Sequence, residues 1–172
     1  MSHAEPEVLV EQEEETARDA IDKILIIVSK ANIDSVYAAL ILAHGARWEG
    51  IETDLFFTLL GIDAIAKTRM DDLSAAISGN PGLDLPETVP AIPGAGGFAT
   101  NLMRTEIARL GIPTVSQYLN TIKDAGGYIY ACNSAMEKLG LSRDDLWDGV
   151  KDVMTMDAYY RHATERSQII VF

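Results

Sequence analysis

The run Lys23-Ile24-Leu25-Ile26-Ile27-Val28-Ser29 is unbroken aliphatic sequence closed at each end by a polar residue. A strand with one wet face alternates apolar and polar side chains, so a continuous run of this length describes a central parallel strand covered on both faces. Asn32 and Asp34 then precede Val36, Ala39, Leu40 and Ala43, whose spacing predicts an amphipathic helix ending near Gly50. Ile51-Glu52-Thr53-Asp54-Leu55-Phe56-Phe57 reads as a second strand. Together these segments make one βαβ unit, and such a unit crosses over right-handedly.

The rest of the chain continues the alternation. Gly79-Asn80-Pro81-Gly82, followed by Pro86, Pro90, Pro93, Gly94, Gly96 and Gly97, marks a long loop over 79–97. A loop of that length in a compact domain acts as a lid or orders against another subunit. Its Gly94-Ala95-Gly96-Gly97 segment follows no strand and lacks the Lys-Ser/Thr of a phosphate-binding loop. Helices are expected over 98–110 and 114–125, the second closed by Gly126-Gly127. A short strand then leads through Tyr128-Ile129-Tyr130-Ala131 to Cys132, and a helix follows as far as Gly140. Ser142 with Asp145 predicts a short helix over 142–147, and 150–153, 156–166 and 168–172 read as strand, helix and strand. The pattern is that of a doubly wound α/β sheet in a single domain, 23–172, preceded by an acidic N-terminal tail, 1–22.

Charge and cysteine content narrow the function. The net charge is −12, and residues 1–22 hold eight acidic residues against one Arg, so the body is only mildly acidic. Without a basic stripe the chain is not expected to bind nucleic acid, where phosphate neutralisation dominates affinity. The longest apolar stretches fall well short of the roughly 20 residues of a membrane helix, so no membrane insertion is expected. One cysteine forbids an internal disulfide, and no segment has the form of a secretory signal, which together point to the reducing cytoplasm.

That cysteine, Cys132, stands where a strand gives way to a helix. Backbone N-H groups in a helix's first turn are unpaired and favour a thiolate, so the position suits a reactive sulfur. The competing reading is an inert, buried small residue, although Asn133 and Ser134 supply polar, cap-forming side chains where a core would supply aliphatic ones. Ligands on open parallel sheets bind beyond the carboxyl ends of the strands, which brings Ser29, Lys30 and Thr58 into consideration as neighbours. No metal site is expected, since His3, His44 and His162 are scattered. His44 reads as a surface or interface residue and His162 as a charge suited to a helix end. Asp71-Asp72 and Asp144-Asp145 read as acidic helix starts, and Met103, Met154 and Met156 as core or subunit contacts.

Several of these segments, in this order and spacing, resemble the DsrE/DsrF-like family, in the branch often labelled peroxiredoxin-like. They are Ile26-Ile27-Val28-Ser29-Lys30 with Asp34 and Ala38-Ala39, then Phe56-Phe57-Thr58 with Gly61-Ile62-Asp63, then the Gly/Pro-rich linker and its helix. Ala131-Cys132 with Ser134, Met136, Gly140-Leu141, Asp145-Leu146 and Asp148-Gly149-Val150 completes the likeness. The resemblance implies a flavodoxin-like or Rossmann-like parallel sheet with helices on both faces, assembly into a homo-oligomer, and sulfur relay through a persulfide on Cys132. It implies other sulfur-relay proteins as donor and acceptor, and no metal or organic cofactor. Lys30 is expected as a nearby cation, with Asn133 and Ser134 as helix N-terminal donors to the thiolate. The segment 151–160 departs from the family pattern. Two other functions compete: an oligomeric small-ligand-binding or regulatory module with Cys132 as a bystander, and a thiol peroxidase. The peroxidase reading lacks a resolving cysteine and a Pro-x-x-x-Thr-x-x-Cys arrangement.

Overall fold

The computed structural model describes residues 21–75 and 94–172. Most of the acidic tail and of the 79–97 loop therefore lie outside the described residues. Five parallel strands form one sheet: β1 (Lys23–Val28), β2 (Glu52–Phe57), β3 (Tyr128–Cys132), β4 (Asp152–Met154) and β5 (Ser167–Val171). Their order across the sheet is β4-β3-β2-β1-β5. β1 therefore lies between β2 and β5, with five of its six residues buried, as its apolar run requires.

Among the described residues, five α-helices accompany the strands: α1 (Ile33–Trp48), α2 (Ala95–Arg109), α3 (Val115–Asp124), α4 (Asn133–Leu139) and α5 (Met156–Tyr160). The steps β1 to β2 to β3 to β4 all move in one direction across the sheet, so right-handed crossovers lay their helices on one face. The step from β4 back to β5 reverses direction and carries α5 to the other face. The Tyr159 ring of α5 stacks on Phe56 with centroids 4.6 Å apart. Tyr159 Oη donates to the Asp54 carbonyl at 2.7 Å and lies 3.3 Å from that of Ile26. On the opposite face, Arg47 at the end of α1 donates to the Ala125 carbonyl that closes α3 and to the Ile51 carbonyl ahead of β2.

The structure differs from the sequence reading at several helix ends. α2 starts at Ala95, three residues before the expected 98, because Gly94 adopts a left-handed backbone (φ 88°) and opens the helix ahead of Gly96 and Gly97. The helix expected over 156–166 stops at Tyr160. Only Arg143–Asp145 of 142–147 is helical, as a 3-10 turn in which the Asp145 carboxylate accepts from both the backbone and the hydroxyl of Ser142. Asp71 and Asp72 begin no helix; Asp72 instead pairs with Arg104 of α2 at 2.5 Å. A 3-10 helix over Leu59–Ile65, unforeseen in the sequence, follows β2 and buries Ile62 and Ile65 while exposing Leu59 and Leu60. α3 matches expectation closely: Thr114 and Gln117 form a reciprocal capping box at its start.

Gly61 holds this 3-10 segment against the end of β1. Its N-H donates to the Ser29 carbonyl at 3.1 Å, and a Cβ at this position would overlap the Val28 carbonyl. Backbone cannot rotate away as a side chain can, so Gly61→Ala is expected to destabilise the protein by about 2–3 kcal/mol in urea unfolding, the range of core overpacking. Tyr159→Phe, which keeps the stacked ring and removes its donor, is expected to cost about 1 kcal/mol in the same assay.

Candidate functional site

Cys132 ends β3, and α4 begins at the next residue. It is 7 % exposed and packs into the main core with Ala131, Ala135 and Met136. Strand alternation and register place its side chain on the same face as Phe56 and Tyr130, opposite Met154 of β4. Thr58, buried just past β2, continues the register beside it. Leu59 follows in a left-handed backbone conformation (φ 50°) that is costly for a branched side chain, and both it and Leu60 face solvent. Cys132 thus lies at the carboxyl end of the sheet, level with Thr58 just past the neighbouring strand.

The other residues singled out by sequence are distributed unevenly around it. Ser134 is exposed on the first turn of α4. The Asn133 side chain donates to Glu137 Oε1 at 2.8 Å, along its own helix, so what Asn133 can offer the sulfur is its backbone N-H. Lys30 leaves β1, two strand positions from β3, a lateral offset of about 10 Å. It opens onto a cavity of about 470 Å³ whose other walls include Leu60, Asp63 and Arg69, and Cys132 is not part of that lining. Ser29 is engaged elsewhere, its hydroxyl donating to the Phe172 carbonyl at 2.6 Å. His44 is half-buried, edge-on to Tyr118 and beside exposed Trp48. Among the described residues, no three His, Cys, Asp or Glu side chains group as a metal site.

A polar cluster on the Cys132 face escaped the sequence reading. Asp54, 1 % exposed, has its Oδ2 3.0 Å from both Lys23 Nζ and His162 Nδ1. His162 therefore serves the sheet rather than a helix end, and its ring meets Tyr130 edge-on at 5.0 Å. The signal was present: a carboxylate inside the strand Thr53-Asp54-Leu55-Phe56-Phe57 cannot be buried without partners. Burial, reinforced by Asp54, Tyr128 and Asp152, pushes the Tyr130 phenol up to about 12. Burial, and then Asp54, raises the Tyr159 phenol further.

The fold and site define a class: a parallel α/β protein with a single cysteine at the carboxyl end of a central sheet strand. The family model for DsrE/DsrF/DrsH-like proteins matches residues 20–172, and the chain belongs to that family. A relative, sulfur carrier protein DsrE2 of Allochromatium vinosum, is 26 % identical over 137 residues, covering 75 % of this chain and 85 % of its own length. Among solved structures, the ychN protein of E. coli superposes with a TM-score of 0.53 at 18 % identity, covering 88 % of this chain and 100 % of its own. A protein of unknown function, MTH1491 of Methanobacterium thermoautotrophicum, gives 0.53 at 14 % identity, covering 87 % and 98 %. These two likenesses bear on the fold alone. Among the described residues, no helix is long and apolar enough to cross a membrane.

The tyrosines offer a direct check on the packing beside Cys132. Tyr130 has a folded pKa above the ordinary value near 10, so the stability of its buried neutral form is complete below about pH 10 and lost as pH rises through about 12. Ultraviolet titration is expected to show a phenolate step near pH 12 that Tyr130→Phe removes. Between pH 10 and 12 the variant should lose less stability than the wild type.

Proposed function

We propose that this protein carries sulfane sulfur on Cys132 and passes it to an acceptor thiol. The observation that carries the reading is the placement of the chain's sole cysteine at the carboxyl end of β3, where sheets of this kind present ligands, in a chain related to a sulfur carrier protein. The chemistry is thiol exchange. Cys132 thiolate attacks the outer sulfur of a donor persulfide, R-S-SH; the donor's S-S bond breaks, Cys132-S-SH forms, and the donor leaves as thiolate. An acceptor thiolate then attacks the outer sulfur of that persulfide and regenerates Cys132. Both steps conserve electrons and need neither metal nor organic cofactor. A reducing cytoplasm suits the free thiol.

The surroundings fit the task unevenly. The backbone N-H groups of Asn133 and Ser134 are the nearest fixed donors along the chain, whereas Lys30 suits a guiding charge at the sheet end better than a partner of the sulfur. Donor and acceptor are other thiol proteins of a sulfur relay, and Leu59 with Leu60 offers such a partner an apolar contact beside Thr58. Assembly into a homo-oligomer belongs to the same reading. Ile169 and Val171 of edge strand β5 and Tyr160 of α5 are exposed, and an apolar edge left open in this way is ordinarily covered.

Intact mass tests the sulfur reading. Reduced protein incubated with polysulfide is expected to gain about 32 Da, the mass of one sulfur, which reductant removes and Cys132→Ser never acquires. If the wild type gains nothing while iodoacetamide still labels Cys132, the carrier reading fails. Light scattering after gel filtration tests assembly: the wild type is expected to be oligomeric, and Ile169→Glu with Val171→Glu to shift it toward monomer.

A further inference from the structure

A cavity of about 200 Å³ lies between the first turns of α1, the turn at 70–73, the end of α2 and the start of α3, and none of its walls comes from β3 or α4. Its apolar walls include Ile33, Leu73, Ile107 and Val115. An apolar cavity of about 150 Å³ is known to accept benzene, so this one has room for a phenyl-sized body and a short arm. The polar groups gather among the same walls: Tyr37, Asp71 and Arg104. Arg104 is the one cation among them, and it is shared with a second carboxylate, Asp72.

Arg104 is already committed, its Nη2 lying 2.5 Å from Asp72 Oδ1 and 3.0 Å from the Leu73 carbonyl. The Thr114 hydroxyl is likewise used, accepting from Gln117 N in the α3 cap. Asp71, exposed at the rim, has among the described residues a long contact to the Ser116 hydroxyl, at 3.5 Å. Tyr37, edge-on to Tyr118 at 6.1 Å, is held neutral by burial, by Asp71 and by Tyr118, all of which raise its phenol. The cavity therefore combines an apolar interior with a neutral hydroxyl and a rim carboxylate that has no cation partner among the described residues.

We propose that this cavity binds a small primary amine with an apolar, phenyl-sized body, its ammonium group on the Asp71 carboxylate and the Tyr37 hydroxyl and its body against Ile33, Leu73, Ile107 and Val115. Such a site is separate from Cys132 and gives the protein a ligand-responsive surface beyond sulfur transfer. A ligand of this size in so small a cavity binds with a Kd on the millimolar scale.

Three isosteric probes, 2-phenylethylamine, 2-phenylethanol and phenylacetate, titrated into the full chain and followed by NMR shifts, test it. The amine is expected to bind about three- to five-fold more tightly than the alcohol, the range of a partly exposed ion pair, with phenylacetate weakest. Asp71→Asn should bring amine and alcohol within twofold of each other. Ala108→Phe, a substitution at an exposed rim position of α2, should abolish amine binding in a protein whose circular dichroism is unchanged. Cys132→Ser should leave all three affinities as they are, which keeps this outcome distinct from that of the sulfur test. Absence of saturable amine binding in the millimolar range, phenylacetate binding as tightly as the amine, or an amine preference that survives Asp71→Asn would each overturn the proposal.

Discussion

The return of the chain from β4 to β5 is the step on which the rest of the architecture hangs. β4 is one edge of the sheet and β5 the other, so the connection must pass over β3, β2 and β1, on a face that no other helix crossover among the described residues covers. α5 spans five residues, too few to be stable on their own. It is fixed by Tyr159, whose ring lies flat on Phe56 and whose hydroxyl reaches the backbone of β2, and by His162 on Asp54 immediately beyond. Lys23 completes the arrangement by bringing a positive charge to the same carboxylate. Only with this crossing in place can β5 close over β1 and turn it into an interior strand.

The asymmetry between the two faces follows from that route. One face carries the right-handed crossovers, with α1 and α3 packed on each other and tied by Arg47. The other carries α5 and leaves Ile169, Val171 and Tyr160 open. Cys132 belongs to this second face, at the end where the strands present their carboxyl termini. Cys132 and the exposed Ile169 and Val171 of β5 therefore share one side of the sheet.

Most of the scaffold could be read from residues in order. Lys23–Val28 was legible because burial on both faces leaves no room for polar alternation, and α3 because Thr114 and Gln117 announce a cap. The 3-10 segment Leu59–Ile65 was not, since its apolar residues fall in and out of the core at a three-residue spacing that resembles neither strand nor α-helix. Helix α5 ended early because His162 is drawn to Asp54, an interaction spanning 108 positions of chain. At the site, the junction holding Cys132 was visible locally. Its depth, its pairing with Met154 and its separation from Lys30 depend on strand order, which no local pattern encodes.

The three-residue length of β4 has an energetic meaning. Met154, the sulfur's neighbour across the sheet, is also the last residue of a ladder with only three register pairs. Detaching so short an edge costs far less than unfolding the domain. Cys132 forms the last of those three pairs, so the strand end that carries the cysteine borders the least extensive ladder of the sheet.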